Sequence, residues 1–240
     1  MKLLLLTIAL LINIIGFSQS HASTTNAGPL AIYHCSDFEV DGKGDNPEWN
    51  KSAWNVMAQL DSGKAYSSKF KMLYSEKGVY VLFHGVDSRI STSFTNDFGA
   101  LFKGDVFEVF FQTDTATSIY LEYEINHLNK ELVLLVPNFN GRAFGWQPYA
   151  YANNRKVQKA VSIEGGKAEI NSAITGWTAE IFVPYALFNP LLNVPPKAGT
   201  VWHANFYRLD YDSGQMVKWA WSPVEKQFHE YKKFGTIVFK

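Results

Sequence analysis

The sequence predicts an all-β protein, a two-sheet antiparallel β-sandwich of jelly-roll character, and three observations predict it. Short runs rich in Val, Ile, Tyr, Phe and Trp alternate with Gly, Pro, Asn and Asp, as strands alternate with turns. No stretch of about ten residues carries a 3.6-residue apolar period, which argues against amphipathic helices. About ten to twelve such strands follow one another across short turns, the spacing of a sandwich rather than of a βαβ fold.

The chain of 240 residues begins with Lys2 and an apolar run from Leu3 to Phe17, broken by Asn13. Ser20 and Ala22 then supply small residues at the −3 and −1 positions of a cleavage site. Residues 1–22 therefore read as a secretory signal peptide. The apolar run is about fifteen residues, short of the roughly twenty that a spanning helix needs. This implies a bacterial periplasmic or secreted protein with no membrane association after cleavage. Residues 23–30 are small and polar and read as a flexible leader, and residues 31–240 as one domain.

Within that domain, turn formers crowd Asp41 to Trp49, and a helical turn is expected over Asn50 to Trp54. Strands are expected at Lys69–Tyr74, Val79–Val86, Asp105–Thr113, Ser118–Asn126 and Glu131–Val136. Pro137 to Asn154 reads as a long loop. Lys159–Ile163 and Glu169–Ile174 flank a turn at Glu164-Gly165-Gly166. Gly176–Val183 stops at Pro184, where Tyr185 to Phe188 form a helical turn. Val201–Tyr211, Met216–Trp221 and Thr236–Phe239 complete the set.

Composition narrows the function. Basic and acidic residues balance at 22 each, and no Lys/Arg cluster stands out, which argues against a nucleic-acid partner. Seven Trp and twelve Tyr are a high aromatic content; part of it should be core, and the rest is available for a recognition surface. Cys35 is the only cysteine, so no internal disulfide forms and the core must supply stability. Nothing in the chain calls for an oligomer, and a monomer is expected.

Asp41-Gly42, Asp45 and Trp49, Gly78 to Asp87, Gly104-Asp105-Val106-Phe107-Glu108, Tyr123 to Asn126, Trp177 to Pro184, Asn205 to Arg208, Trp221-Ser222-Pro223, Phe228-His229 and Phe234-Gly235 occur in one order. Together they resemble carbohydrate-binding module family 9, in its bacterial family 9-like branch, over almost the whole mature chain. The resemblance implies a β-sandwich related to DOMON-like domains. It also implies non-catalytic binding of oligosaccharide or polysaccharide, commonly at glycan ends and beside separate glycoside hydrolases, with structural calcium a frequent companion. By the same resemblance, two aromatics sandwich the sugar, and the matching positions here are Phe102 and Phe228. Glu108 would accept sugar hydroxyls, and Tyr123 would add a polar contact from the next strand.

A pyranose offers apolar C–H faces and a belt of hydroxyls, so this mixture of rings and acceptors suits it. Trp146, with Arg142 and Tyr149, lies in the long loop and either caps a groove or folds over the core. Phe102 and Phe228 are equally readable as packed core residues. Glu108 faces a pocket or pairs with Arg208 or Lys103, and Arg208 is expected to meet Glu180 or Glu108. Asp87 and Asp105 are candidate calcium ligands, as is the oxygen-rich turn of Asp41, Asp45 and Asn46; the alternative for all of them is Asx turns.

Two further classes stay open. Asp105, Glu108, Glu122, Glu124 and Glu180 are enough carboxylates for a glycosidase pair, which would make this a weakly catalytic accessory domain. Gly-x-Ser-x-Gly and His-Glu-x-x-His are both absent. Met72 and His84, on neighbouring predicted strands, are candidate haem ligands of a DOMON-like domain.

Overall fold

Side chains along an extended strand point alternately to its two faces, so a strand with apolar residues on both must be covered on both. The computed structural model, which describes residues 28–148 and 150–240, satisfies this with two stacked sheets. In chain order the strands are β1 (Leu30–His34), β2 (Asn55–Gln59), β3 (Ser68–Tyr74), β4 (Gly78–Val86), β5 (Val106–Gln112), β6 (Ile119–Asn126) and β7 (Glu131–Phe139). They continue as β8 (Arg142–Ala143), β9 (Gln158–Glu164), β10 (Gly176–Pro184), β11 (Val201–Asp210), β12 (Val217–Ala220) and β13 (Gly235–Phe239).

One sheet runs β8-β7-β6-β5-β11, and β11 then pairs with both β12 and β13. The other runs β2-β3-β4-β10-β9. Two strands stitch the sheets together. β2 pairs with β12 on one side and β3 on the other, and β1 runs parallel to both β13 and β3. Every other pairing between these strands is antiparallel.

Aromatic rings from the two inner faces fill the space between. Phe70 of β3 stacks on Phe206 of β11 at 3.6 Å, and Phe83 of β4 on Phe107 of β5 at 4.8 Å. Each of these rings is buried, worth about 1.5–3 kcal/mol apiece in apolar transfer. Cys35 is buried and free, its thiol pushed up to about 12, by burial first, so it is inert at neutral pH.

The turn-rich segment after β1 is held by one buried carboxylate. Glu180 accepts the backbone N–H groups of Asp41 and Gly42, both at 2.9 Å, and the Trp49 indole N–H at 2.7 Å. Gly42 sits at φ +84, and a Cβ there would lie 2.8 Å from the Val161 nitrogen, so only glycine fits this approach. Glu180 is thus occupied by this loop and not by Arg208. Asn46 caps a 3-10 turn at Pro47–Lys51 by accepting the Glu48 N–H, and Asp41 accepts from Lys43, so these two form Asx turns.

Several segments differ from the expectation. Leu30 already belongs to β1, so the leader ends earlier than residue 30. The signal peptide lies outside the described residues. Glu169–Ile174 is not a strand: Asn171 adopts φ 63, and a single bridge joins Ala173 to Arg89. The loop expected from Pro137 is instead a continuation of β7 that turns back into β8. Asn140 and Gly141, at φ 53 and 86, supply the two left-handed residues that a tight hairpin demands. Among the described residues no helix is long and apolar enough to cross a membrane.

Candidate functional site

The inner faces of β5, β6 and β11 build the core, which leaves their outer faces to be explained. Alternation sends Val106, Glu108 and Phe110 of β5 outward, with Tyr120, Glu122 and Glu124 of β6 and Tyr207 and Leu209 of β11. Glu108 lies directly opposite Glu124, and Glu122 opposite Phe110. Three carboxylates therefore converge on one patch, and one oxygen of each lies within 4.8 Å of the others.

Flanking segments rise around this patch and make a cleft of about 300 Å3. Phe102 stands on one side, on a 3-10 turn anchored by buried Leu101, and is 44 % exposed. The Tyr211 hydroxyl fixes that turn by donating to the Phe102 carbonyl at 2.7 Å. Phe228 stands on another side, 8 % exposed, its ring stacked on Tyr207 at 4.0 Å. The Tyr207 hydroxyl donates to the Phe228 carbonyl at 2.9 Å, and the Glu230 carboxylate gathers the N–H groups of Glu225, Lys226 and Gln227. This loop is held by its own polar groups. The β8 side closes with Gly145, where a Cβ would lie 2.7 Å from Leu134 on the cleft floor.

The floor carries uncompensated acid. Glu108, Glu122 and Glu124 are 3 %, 4 % and 1 % exposed. Among the described residues the one basic side chain within ion-pair distance of them is His229, whose Nδ1 is 3.8 Å from Glu122 and 2.8 Å from the Tyr120 hydroxyl. One oxygen of Glu122 and one of Glu124 have no hydrogen-bond partner. Burial, and then repulsion by neighbouring carboxylates, holds Glu108 and Glu124 well above the usual carboxylate range. Burial pushes Glu122 up to about 7. Lys218 and Lys226 also line the cleft, with the Lys218 ammonium 3.7 Å from Asp61.

The structure brings Phe102, Glu108 and Phe228 to one cleft and corrects other expectations. Tyr123 belongs to the inner face of β6; it is fully buried in the inter-sheet core and donates to Glu131 at 3.2 Å. The odd positions of β6 face inward, so no shift within this register turns Tyr123 to the cleft. Trp146 is 60 % exposed but faces away. Its backbone pairs with Leu135, and paired residues share a face, so Trp146 projects opposite to Leu134 and Gly145, which line the cleft. Tyr149 lies outside the described residues. Glu108 pairs with neither Arg208 nor Lys103 within ion-pair distance.

Arg208 instead serves a second buried cluster between the sheets. Its Nη2 donates to Asp87 at 3.0 Å and Asp210 at 2.6 Å, and its Nη1 to the Val86 carbonyl at 2.6 Å. Asp87 also meets His127 Nε2 at 3.0 Å and accepts the Ser88 N–H at 2.7 Å. Asp105 accepts the N–H groups of Ser91 and Tyr211 at 2.6 and 2.7 Å. Calcium seeks six to eight oxygens. The Arg208 guanidinium and the His127 imidazole on Asp87, and two backbone N–H groups on Asp105, use acceptors that such an ion would need, while one ligand atom each of Asp87, Asp105 and His127 lies within 4.8 Å of the others.

The haem pair fails on geometry. Met72 is buried in the inter-sheet core, whereas His84 lies on the outer face of its sheet with Tyr80 and Leu82 and meets Glu164 at 3.2 Å. Side chains on opposite faces of a sheet cannot share an iron.

The sequence reading counts Glu122 and Glu124 only among the carboxylates available for a glycosidase pair, not as saccharide contacts beside Glu108. The signal was present: two acids two residues apart on a strand share a face, and a β5–β6 hairpin carries that face to Glu108.

The sequence model of carbohydrate-binding family 9 matches residues 47–239. No curated protein sequence matches. Among solved structures, a protein of Bacteroides uniformis ATCC 8492, described as a candidate carbohydrate-binding protein, superposes with a TM-score of 0.71 at 16 % identity over 89 % of this chain and 99 % of its own. A family 9 carbohydrate-binding module from Caldicellulosiruptor kristjanssonii in complex with cellotriose gives 0.65 at 16 % identity over 88 % and 93 %. The glucose complex of a family 9 module from that organism gives 0.64 at 16 % identity over 88 % and 95 %. The sandwich is thus a shared fold, and with the family match over most of its length this chain belongs to carbohydrate-binding family 9.

Proposed function

We propose that the protein is an exported, non-catalytic module that binds a saccharide in the cleft between Phe102 and Phe228, acting as a monomer in the periplasm or outside the cell. One observation carries the reading: an exposed aromatic ring stands beside buried carboxylate oxygens that have no protein partner. Family membership supports it, as do the cellotriose and glucose held by the structural neighbours.

The chemistry follows from the parts. The free face of Phe102 covers the C–H face of a pyranose. Hydroxyls of the same ring donate to Glu108, Glu122 and Glu124, satisfying acceptors that burial has stripped of water. Phe228, pinned on Tyr207, gives a fixed second wall. The ring loses little entropy because both walls are pre-set, yet few direct contacts remain after desolvation, so affinity should be roughly micromolar to millimolar.

The test is a titration with cello- and xylo-oligosaccharides followed by intrinsic fluorescence. Phe102→Ala and Glu108→Gln should each weaken binding by about tenfold, in line with roughly 1.4 kcal/mol for a lost stacking face or charged acceptor. Equal affinity in the parent and both variants removes the cleft from consideration. Release of reducing ends by the purified protein would replace the binding reading with a catalytic one.

A further inference from the structure

A buried charge persists only where something compensates it. The Asp87 cluster is compensated by the Arg208 guanidinium, with the His127 imidazole hydrogen-bonded beside it. The Glu108, Glu122 and Glu124 cluster has no Lys or Arg within ion-pair distance among the described residues, and His229 touches one member only. We propose that these three carboxylates hold a divalent cation of calcium's size at the floor of the cleft.

The donor set selects the ion class. All three side chains offer oxygen, which suits hard cations rather than the thiolate- and imidazole-seeking metals. Ligand number favours the larger ion. Two oxygens bound to one calcium at about 2.3–2.6 Å stand at most about 5 Å apart, and the three oxygens lie within 4.8 Å of one another, inside that limit without rearrangement. Magnesium keeps several waters and is usually held by one or two carboxylates, whereas three converging carboxylates suit calcium.

A separate observation points the same way. Glu122 Oε2 and Glu124 Oε2 are unpartnered, on side chains 4 % and 1 % exposed, and both residues line the cleft. The carboxylates stand on adjacent, register-locked strands, so they cannot swing out to water to find partners. The open volume above them leaves room for waters or ligand hydroxyls to complete six to eight oxygens.

The experiment uses the mature chain stripped with a chelator and dialysed. Calcium is titrated calorimetrically, and terbium luminescence sensitised by the surrounding aromatics gives an independent readout. One ion per chain is expected, with calcium displacing terbium at least about tenfold more effectively than magnesium. Glu122→Gln and Glu124→Gln should each weaken calcium by about tenfold or more, with far-ultraviolet circular dichroism confirming the fold. Should one variant misfold, the other and the calcium-over-magnesium ranking carry the test. No uptake at ten-millimolar calcium, uptake unchanged in folded Glu122→Gln or Glu124→Gln, or no preference for calcium over magnesium overturns the proposal. The oligosaccharide titration is repeated with chelator and with calcium. Sugar binding by a chain that takes up no calcium sinks the cation alone, and calcium uptake without sugar binding sinks the saccharide reading alone.

Discussion

Two buried acidic clusters lie back to back across one sheet. Arg208, on the inner face of β11, gathers Asp87 and Asp210, with His127 beside them. Its neighbour in sequence, Tyr207, pairs on the ladder with Glu108, which faces outward into the other cluster. Both sets of carboxylates are almost fully buried. They differ in company. The inner cluster carries its cation and backbone donors within the chain, while the outer cluster has orphaned oxygens and an open cleft. Burial of acid alone therefore does not mark a site. Burial without a partner, next to a concavity, does.

The largest effect that would separate the clusters comes from removing the inner cation. Arg208→Met leaves Asp87 and Asp210 buried with the guanidinium gone, and breaking such a pair costs about 3–5 kcal/mol. Arg208 also lies over the Tyr66 and Trp219 rings, at 5.1 and 5.0 Å, so packing is lost with the charge. Urea unfolding of the variant should show that loss. A loss below about 1 kcal/mol would mean that water or protonation already compensates the inner acids, and the contrast with the outer cluster would collapse.

The outer cluster should respond with the opposite sign. The folded-state pKa of Glu122 is raised, by burial, from 4.5 to about 7. A raised carboxyl stabilises the fold fully below pH 4.5, and that contribution disappears as pH climbs through 7, because ionisation is harder folded than unfolded. Without divalent ions, stability should therefore fall between pH 4.5 and 7. Glu122→Gln should flatten this slope and make the chain about 1–3 kcal/mol more stable than the parent at pH 8. Thermal melts in chelator across that range decide it. A variant less stable than the parent at pH 8 would show that the ionised carboxylate has a protein partner after all.

Most of the fold was legible because the strands carry their own pattern. β4, β5, β6, β10 and β11 are long, apolar and bounded by turn residues, and their expected limits fall within a residue or two of the observed ones. β1 and β2 were missed because each is short and sets exposed apolar residues beside buried ones, Tyr33 next to Ile32 and Val56 next to Met57. The site was half legible. Glu108 stood out as one acid among apolar neighbours. Its companions did not, because Leu121-Glu122-Tyr123-Glu124 reads as a mixed strand until the β5–β6 register is known. Tyr123 was misplaced for the same reason: sequence gives the alternation but not which phase faces the core.

The smallest expected effect concerns Trp146. A large ring exposed in a connection between strands is a natural suspect for recognition. Its face is decided by three ladder steps. Asn138 pairs with Ala143, the Phe144 N–H donates to the Pro137 carbonyl, and Trp146 exchanges both backbone bonds with Leu135. Counting along β7, the even positions Leu134 and Val136 line the cleft, which puts Ala143 and Gly145 on the cleft side and Trp146 on the other. Trp146→Ala should thus leave oligosaccharide affinity within about twofold of the parent, against the tenfold expected for Phe102→Ala. Its side chain is mostly in water, so stability should also move by no more than about 0.5 kcal/mol. A tenfold loss of affinity in Trp146→Ala would mean that the β7–β8 hairpin turns over when ligand arrives, and the static boundary between the two faces would have to be abandoned.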